Sequence, residues 1–243
     1  MSFLLGIDIG TSGTKTVLFD EMGNTIASSV GEYPLYQPNI GWAEQDPEDW
    51  WIATYTTIKE VICKSGVDAS EIKGVGLSGQ MHGAVLLDKD YKVLRKSIIW
   101  CDQRSSAECH QITSLIGKEK LIEITANPAL TSFTASKILW VKNNEPEVYA
   151  KVTKILLPKD YIRFKLTGEF ATEVSDASGM QLMDIPGRKW SDEVLDKLGI
   201  EKSMLGKLYE SQEVTGKVNK EASSLTGLKE GTIVVGGAGD QAA

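Results

Sequence analysis

A mixed α/β fold, one sheet with helices packed on it, is the architecture that this sequence predicts, and three observations predict it. Three β-branched, apolar runs open the chain with only glycine-bearing turns between them. A capped helical stretch then leads into a further strand, and the last apolar run, IVV, gives way to the glycine cluster GGAG.

The opening runs are residues 3–9, 14–19 and 25–30, separated by GTSG and DEMGN, and their simplest arrangement is an antiparallel meander. Asp46 caps a helix with Pro47 in its first turn. Trp51, Tyr55, Ile58 and Ile62 recur at helical spacing until Gly66 ends it. Residues 72–77 form the next strand, and its connection through a helix implies parallel pairing with an earlier one. Residues 85–88 and 93–99 read as a hairpin around DKDY. From residue 104 to about 151 the pattern is mainly helical, broken at Pro128 and Pro146. A strand at 154–157 runs into a helix with Pro158 near its start, 168–189 reads as loop with short elements, and helical pieces at 192–198 and 217–225 lead to a last strand at 232–235. No repeat or linker interrupts residues 1–243, which read as one domain. In an open α/β sheet ligands collect beyond the carboxyl ends of the parallel strands. That rule selects GTSGT, SGQMHG and GGAGD.

Composition narrows the partners. The 243 residues are 42% hydrophobic and 24% charged, enough for a sizeable core. Lys and Arg number 26 against 33 Asp and Glu, a formal charge of −7, and no long basic run offers a footprint for nucleic acid or an anionic membrane, which leaves small molecules. Cys63, Cys101 and Cys109 lack CxxC spacing, which argues against a disulfide framework or a zinc site and for a reducing, cytoplasmic compartment. The start MSFLLGIDIG has no basic n-region, and Asp8 interrupts its apolar stretch, so it predicts a strand rather than a signal peptide or a membrane span.

Two nucleotide motifs are nearly present and fail. Gly74, Gly76 and Gly79 spell GxGxxG inside a strand with no helix start after them, and in GTSGTKT the residue Thr14 separates Gly13 from Lys15 while the continuation alternates like a strand. What GIDIGTSGTK can form is a hairpin of small and hydroxyl residues. Its amides and the Thr11 and Ser12 side chains could cradle a polyphosphate, with Lys15 adding charge and Asp8 placed to reach Mg²⁺. A glycine-rich turn with a solvated aspartate fits the same residues. Met81 and His82 in SGQMHG could line a pocket for a hydroxylated ligand, or form a satisfied loop. Trp100, ahead of Asp102 and Arg104, could wall a sugar, or be core beside an ion pair. His110 has no partner at ligand spacing and reads as structural. Asp240 could cap a helix, accept a proton from a hydroxyl attacking phosphorus, or do both.

Taken in order and at their separations, GIDIGTSGTK, SGQMHG, IIWCDQRS, LPKDYIRFKLTGE with the following SDASG, and VVGGAGDQAA resemble the N-terminal domain of the FGGY carbohydrate kinases, from Gly6 to Ala243. The resemblance implies a ribonuclease H-like, actin-like ATPase fold, with ATP and Mg²⁺ as cofactors. It implies transfer of phosphate to the 5-hydroxyl of D-xylulose, since the Gln-Met-His-Gly loop is similar to that of members acting on this sugar. On that basis Asp240 is the catalytic base, Met81, His82 and Gln241 contact the sugar, and Trp100 walls it. Asp8 holds Mg²⁺, and Gly10, Thr11, Ser12 and Lys15 form the phosphate hairpin. The resemblance further implies a second domain carrying the adenosine pocket, absent from this chain. The isolated chain is then expected to turn over negligibly, and a homodimer through the uncovered face is plausible. Two alternatives remain: a kinase for gluconate or another sugar or polyol, and a non-catalytic sugar-binding or actin-like module. A sugar acid would ask for a cation that SGQMHG does not supply, and a module has no need of both Asp8 and Asp240.

Overall fold

The computed structural model describes residues 2–243. Strands β1 (Phe3–Ile9), β2 (Gly13–Phe19) and β3 (Thr25–Glu32) form the antiparallel meander. After a two-residue β4 (Glu44–Gln45) comes α1 (Pro47–Ser65), begun by Asp46 accepting from the Glu48 amide and ended by Gly66 at φ 64°. β5 (Ile72–Gly79) then lies parallel to β1, as a strand reached through a helix should.

Seven strands of the described residues make the main sheet, in the order Val214–Lys217, Ile233–Val235, β5, β1, β2, β3, with Ala238–Gly239 as a second stretch beside β5. Along β1 the side chains alternate. Phe3, Leu5, Ile7 and Ile9 are buried while Leu4 and Asp8 are exposed. The buried face packs with α1 and the Pro158–Thr167 helix, where Trp50, Ile58, Val61, Tyr161, Ile162 and Leu166 meet Leu77, Val75 and Val234. A second hydrophobic cluster, built on Ile112, Leu121, Ile138, Trp140, Leu182 and Leu195, joins the helices and short strands between residues 104 and 205 to Ala84, Leu86 and Ile98.

Three expectations need correction. Residues 85–99 are not a hairpin ladder. Val85–Leu87 pairs with Lys154–Leu156, Ser97–Ile98 pairs with β4, and the two halves are joined by two isolated antiparallel bridges, Leu87 to Val93 and Ala84 to Ile98. The helix expected from residue 217 begins at Lys220. Val214–Lys217 is instead an edge strand whose signal is weakened by Gly216 in its interior. Among the described residues a turn, and no helix, follows Asp240. Its amide donates to Gly79 O at 3.0 Å, extending the pairing with β5, and residues 240–242 form a turn closed by the Ala243 amide on Gly239 O at 3.1 Å.

Candidate active site

The carboxyl ends of β1, β5 and the Ile233–Val235 strand bring the three selected loops to one edge of the sheet. At the first, Gly10 and Gly13 close a tight hairpin through the Gly10 amide on Gly13 O at 3.0 Å. Its carbonyls are turned inward and held. Tyr33 OH donates to Gly10 O at 2.5 Å, Gln80 Nε2 to the same oxygen at 3.3 Å, and Gln45 Nε2 to Thr11 O at 2.7 Å. Among the described residues the amides of Thr11 and Ser12 have no hydrogen-bond partner, so the turn presents donors outward, the arrangement that suits an anion. Lys15 is exposed and stands directly across from Asp8 in the β1–β2 register.

Trp100 joins this hairpin. Its Nε1 donates to Thr11 Oγ1 at 2.9 Å, and the residue is 45% exposed, which rules out simple core burial. The ion pair beside it is present and buried, with Arg104 Nη2 2.7 Å from Asp102 Oδ2.

The second loop is tightly seated. His82 adopts φ 70°, an uncommon conformation for a residue with a side chain, and its Nδ1 lies 3.0 Å from Gly179 O. The ring stands edge-on to Phe133 at 4.9 Å between centroids. Glycine is required on both sides. A Cβ at Gly179 would overlap the His82 ring, and one at Gly239 would lie 2.7 Å from Met81 Cγ. Burial holds the imidazole down at about 4 despite the Gly179 carbonyl, and the Lys137 charge adds to the effect. The ring is therefore neutral near pH 7 and offers a hydrogen bond rather than a charge. A folded ring that binds its proton at about 4, against 6.5 ordinarily, contributes stability that is whole above pH 6.5 and is lost as the pH falls from there to 4. His82→Leu is expected to remove this slope. In urea titrations the stability difference between wild type and variant should shrink by about 2 kcal/mol between about pH 7 and about pH 4.5. A difference that stays constant with pH would show that His82 does not titrate in this way.

The third loop presents Asp240. Its carboxyl group is raised above the usual carboxylate range, mainly by burial of the group and also by the nearby charge of Asp8, while the amides of Gln241 and Met81 and the Gln241 side chain draw it back. As a whole residue it stays exposed, so a substrate can reach it. Asp240, Gln241 and Met81 are thus in contact, and Asp8 is near enough to be felt.

Asp8 and Asp240 are hard oxygen donors at the ends of the two strands that flank β5, a donor set that fits Mg²⁺, which takes one or two carboxylates and completes its shell with water and phosphate oxygens. Among the described residues no group of three or more His, Cys, Asp or Glu could hold a metal by itself. Asp8 and Lys15 also line a cavity of about 720 Å³ over the open face of the sheet, with Gly6, Phe19, Leu77 and Ala238. Met81, His82, Trp100 and Asp240 lie outside that cavity, so the structure gathers the expected residues into adjoining groups rather than one enclosed pocket.

Sequence reasoning missed the parts that hold the loops. Gln80 lay within a quoted motif, and Gln45 and Tyr33 carried no local signal for the Gly10 and Thr11 carbonyls. Gly179 closes SDASG, yet nothing in that motif points to His82.

Comparison with known proteins follows the same lines. Residues 3–243 match the family model described as "FGGY family of carbohydrate kinases, N-terminal domain". The xylulose kinase of Bacillus subtilis is 42% identical over 242 residues, covering 100% of this chain and 48% of that protein. Among solved structures, xylulose kinase from Rhodospirillum rubrum superposes with a TM-score of 0.94 at 29% identity, covering 98% of this chain and 49% of that one. Gluconate kinase from Lactobacillus acidophilus gives 0.92 at 30% identity, with 98% and 48% covered. The chain spans about half the length of the curated relatives it matches.

Proposed function

This chain belongs to the FGGY family of carbohydrate kinases, matching its N-terminal domain, and from that premise we propose that the protein it builds transfers the terminal phosphoryl group of ATP to a hydroxyl of D-xylulose. The observation that carries the reading is the convergence at one sheet edge of an accessible carboxylate, Asp240, and a hairpin that turns free amides outward. Asp240 accepts the proton of the attacking hydroxyl. Gln241, Met81 and neutral His82 orient the sugar, with Trp100 as a flat wall. The amides of Thr11 and Ser12 and the Lys15 ammonium receive phosphate oxygens. Mg²⁺, when bound through Asp8, supplies charge neutralisation on the phosphates. Such chemistry rests on positioning and electrostatics more than on covalent steps. A second domain of the full-length protein supplies the adenosine site, and closure between the two excludes water.

A neutral ketose is favoured over a sugar acid because the loop offers no cation to pair with a carboxylate. His82 is neutral near pH 7, and the Lys137 ammonium is buried on the carbonyls of Thr131, Ser132 and Phe133. ADP release by the full-length protein with D-xylulose, gluconate and glycerol tests this. The expected result is a kcat/KM for D-xylulose at least about 100-fold above the others. A preference for gluconate would overturn the substrate, and no ADP release with any sugar would overturn the activity in favour of a binding module.

A further inference from the structure

Beneath the GGAG stretch lies a cluster of five fully buried ionisable side chains that the chemistry above does not use: Lys159, Asp160, Arg163, Glu173 and Asp176. Lys159 Nζ stands 3.3 Å from Glu173, 3.5 Å from Asp160 and 3.5 Å from Asp176, and Arg163 Nη1 stands 2.5 Å from Asp160. Buried ion pairs are poor stabilisers, because desolvation offsets most of the attraction and apolar residues of similar volume do as well. Stability alone therefore gives little reason for five of them here.

Arg163 Nη1 also donates to Ala171 O at 2.7 Å and Glu173 accepts from Ser211 Oγ at 3.1 Å, while the other hydrogen bonds of the cluster run toward one loop. Lys159 Nζ donates to Gly236 O at 3.3 Å, and Arg163 Nη2 donates to the same oxygen. Glu173 accepts from the amides of Ser175 and Asp176 and from Ser175 Oγ, each at 2.8 Å. Ser175 Oγ in turn accepts from the Gly239 amide at 3.2 Å. The loop that presents Asp240 is gripped at Gly236 by two cations and at Gly239, immediately before Asp240, by a hydroxyl whose own proton is committed to Glu173. The same short segment ends at Gly179, whose carbonyl holds His82.

We infer that this buried cluster positions the catalytic base, with Ser175 as its last link: Glu173 orients the Ser175 hydroxyl, and the hydroxyl fixes the Gly239 amide and with it the direction of Asp240. The inference rests on the reading of Asp240 as the base. Asp176, whose carboxylate oxygens find no hydrogen-bond donor among the described residues, is raised by burial above all, with Asp160 and Glu173 adding to it against Lys159.

The test uses the full-length protein and the Ser175 hydroxyl, the smallest removable part of the grip. Ser175→Ala is expected to lower kcat about tenfold while the KM for D-xylulose stays within about twofold, because the defect is misplacement of the reacting group rather than loss of a sugar contact. Ser175→Cys keeps the volume without the strong acceptor and should show the same drop, which covers the case in which the alanine variant does not fold. Ser175→Thr keeps the hydroxyl and should recover most of the rate. A kcat within about twofold of wild type in the folded variants, or a loss confined to KM, would overturn the inference. Asp240→Asn run in parallel separates the two claims. If it keeps its rate, the base assignment has failed and the inference falls with it; if it is inactive while the Ser175 variants are not, the inference alone has failed.

Discussion

Asp240→Asn in the full-length protein is expected to lower kcat by about three orders of magnitude while sugar binding changes little. The amide is nearly isosteric with the carboxylate, so it can keep the contact with the Gln241 amide, but it cannot take the proton of an attacking hydroxyl. Calorimetric titration with D-xylulose beside single-turnover kinetics would separate the two effects. A variant that retains turnover within about tenfold of wild type would mean that the proton leaves by another route, and that Asp240 serves at most as an electrostatic or structural group.

The largest loss of stability should come from Gly237→Ala. Gly237 has φ 69°, and a Cβ there would overlap Leu77 O and lie 2.8 Å from Leu77 C, so the obstacle is the backbone of β5 rather than a side chain that could swing away. Left-handed strain costs about 1 kcal/mol and the collision adds more, for a total above about 4 kcal/mol, a large part of the roughly 5–15 kcal/mol that holds a domain together. Gly231→Ala provides the contrast. It too has a positive φ, 87°, but nothing lies within 4 Å of its added carbon, and about 1 kcal/mol is expected. Urea unfolding of both variants measures the difference. Equal midpoints would show that the strand and the glycine turn can separate at little cost.

The elements legible in the sequence are those whose ends are marked by local chemistry. Asp46, Pro47 and Gly66 bound α1, and GTSG and DEMGN punctuate the meander, so β1, β2, β3 and α1 came out close to their observed limits. Residues 85–99 failed for the opposite reason. Which strand Val85–Leu87 pairs with is decided by Lys154–Leu156, far along the chain, and no nearby turn residue announces that choice. In the candidate site, the strand-end rule was enough to select the three loops that carry Thr11, Met81, His82 and Asp240, while Asp8, inside β1, was proposed from its motif. It could not foresee that Trp100 would bond to Thr11, a contact between distant loops. Nor did the charged motif LPKDYIRFK suggest burial. Lys159, Asp160 and Arg163 are interior only because Glu173 and Asp176, from another segment, complete their pairing.

The close seat of Met81 against Gly239 also bears on how such a site can change over generations. A bulkier side chain at position 81 presses on the segment that aims Asp240, and any side chain at position 239 presses back on Met81. On the proposed reading of the two loops, mutations that alter sugar preference through Met81 are epistatic with those that govern phosphoryl transfer. On that reading a lineage exploring new sugars would have to move both positions together, or place its first substitutions at Trp100, which is exposed and bonded to Thr11 of a different loop.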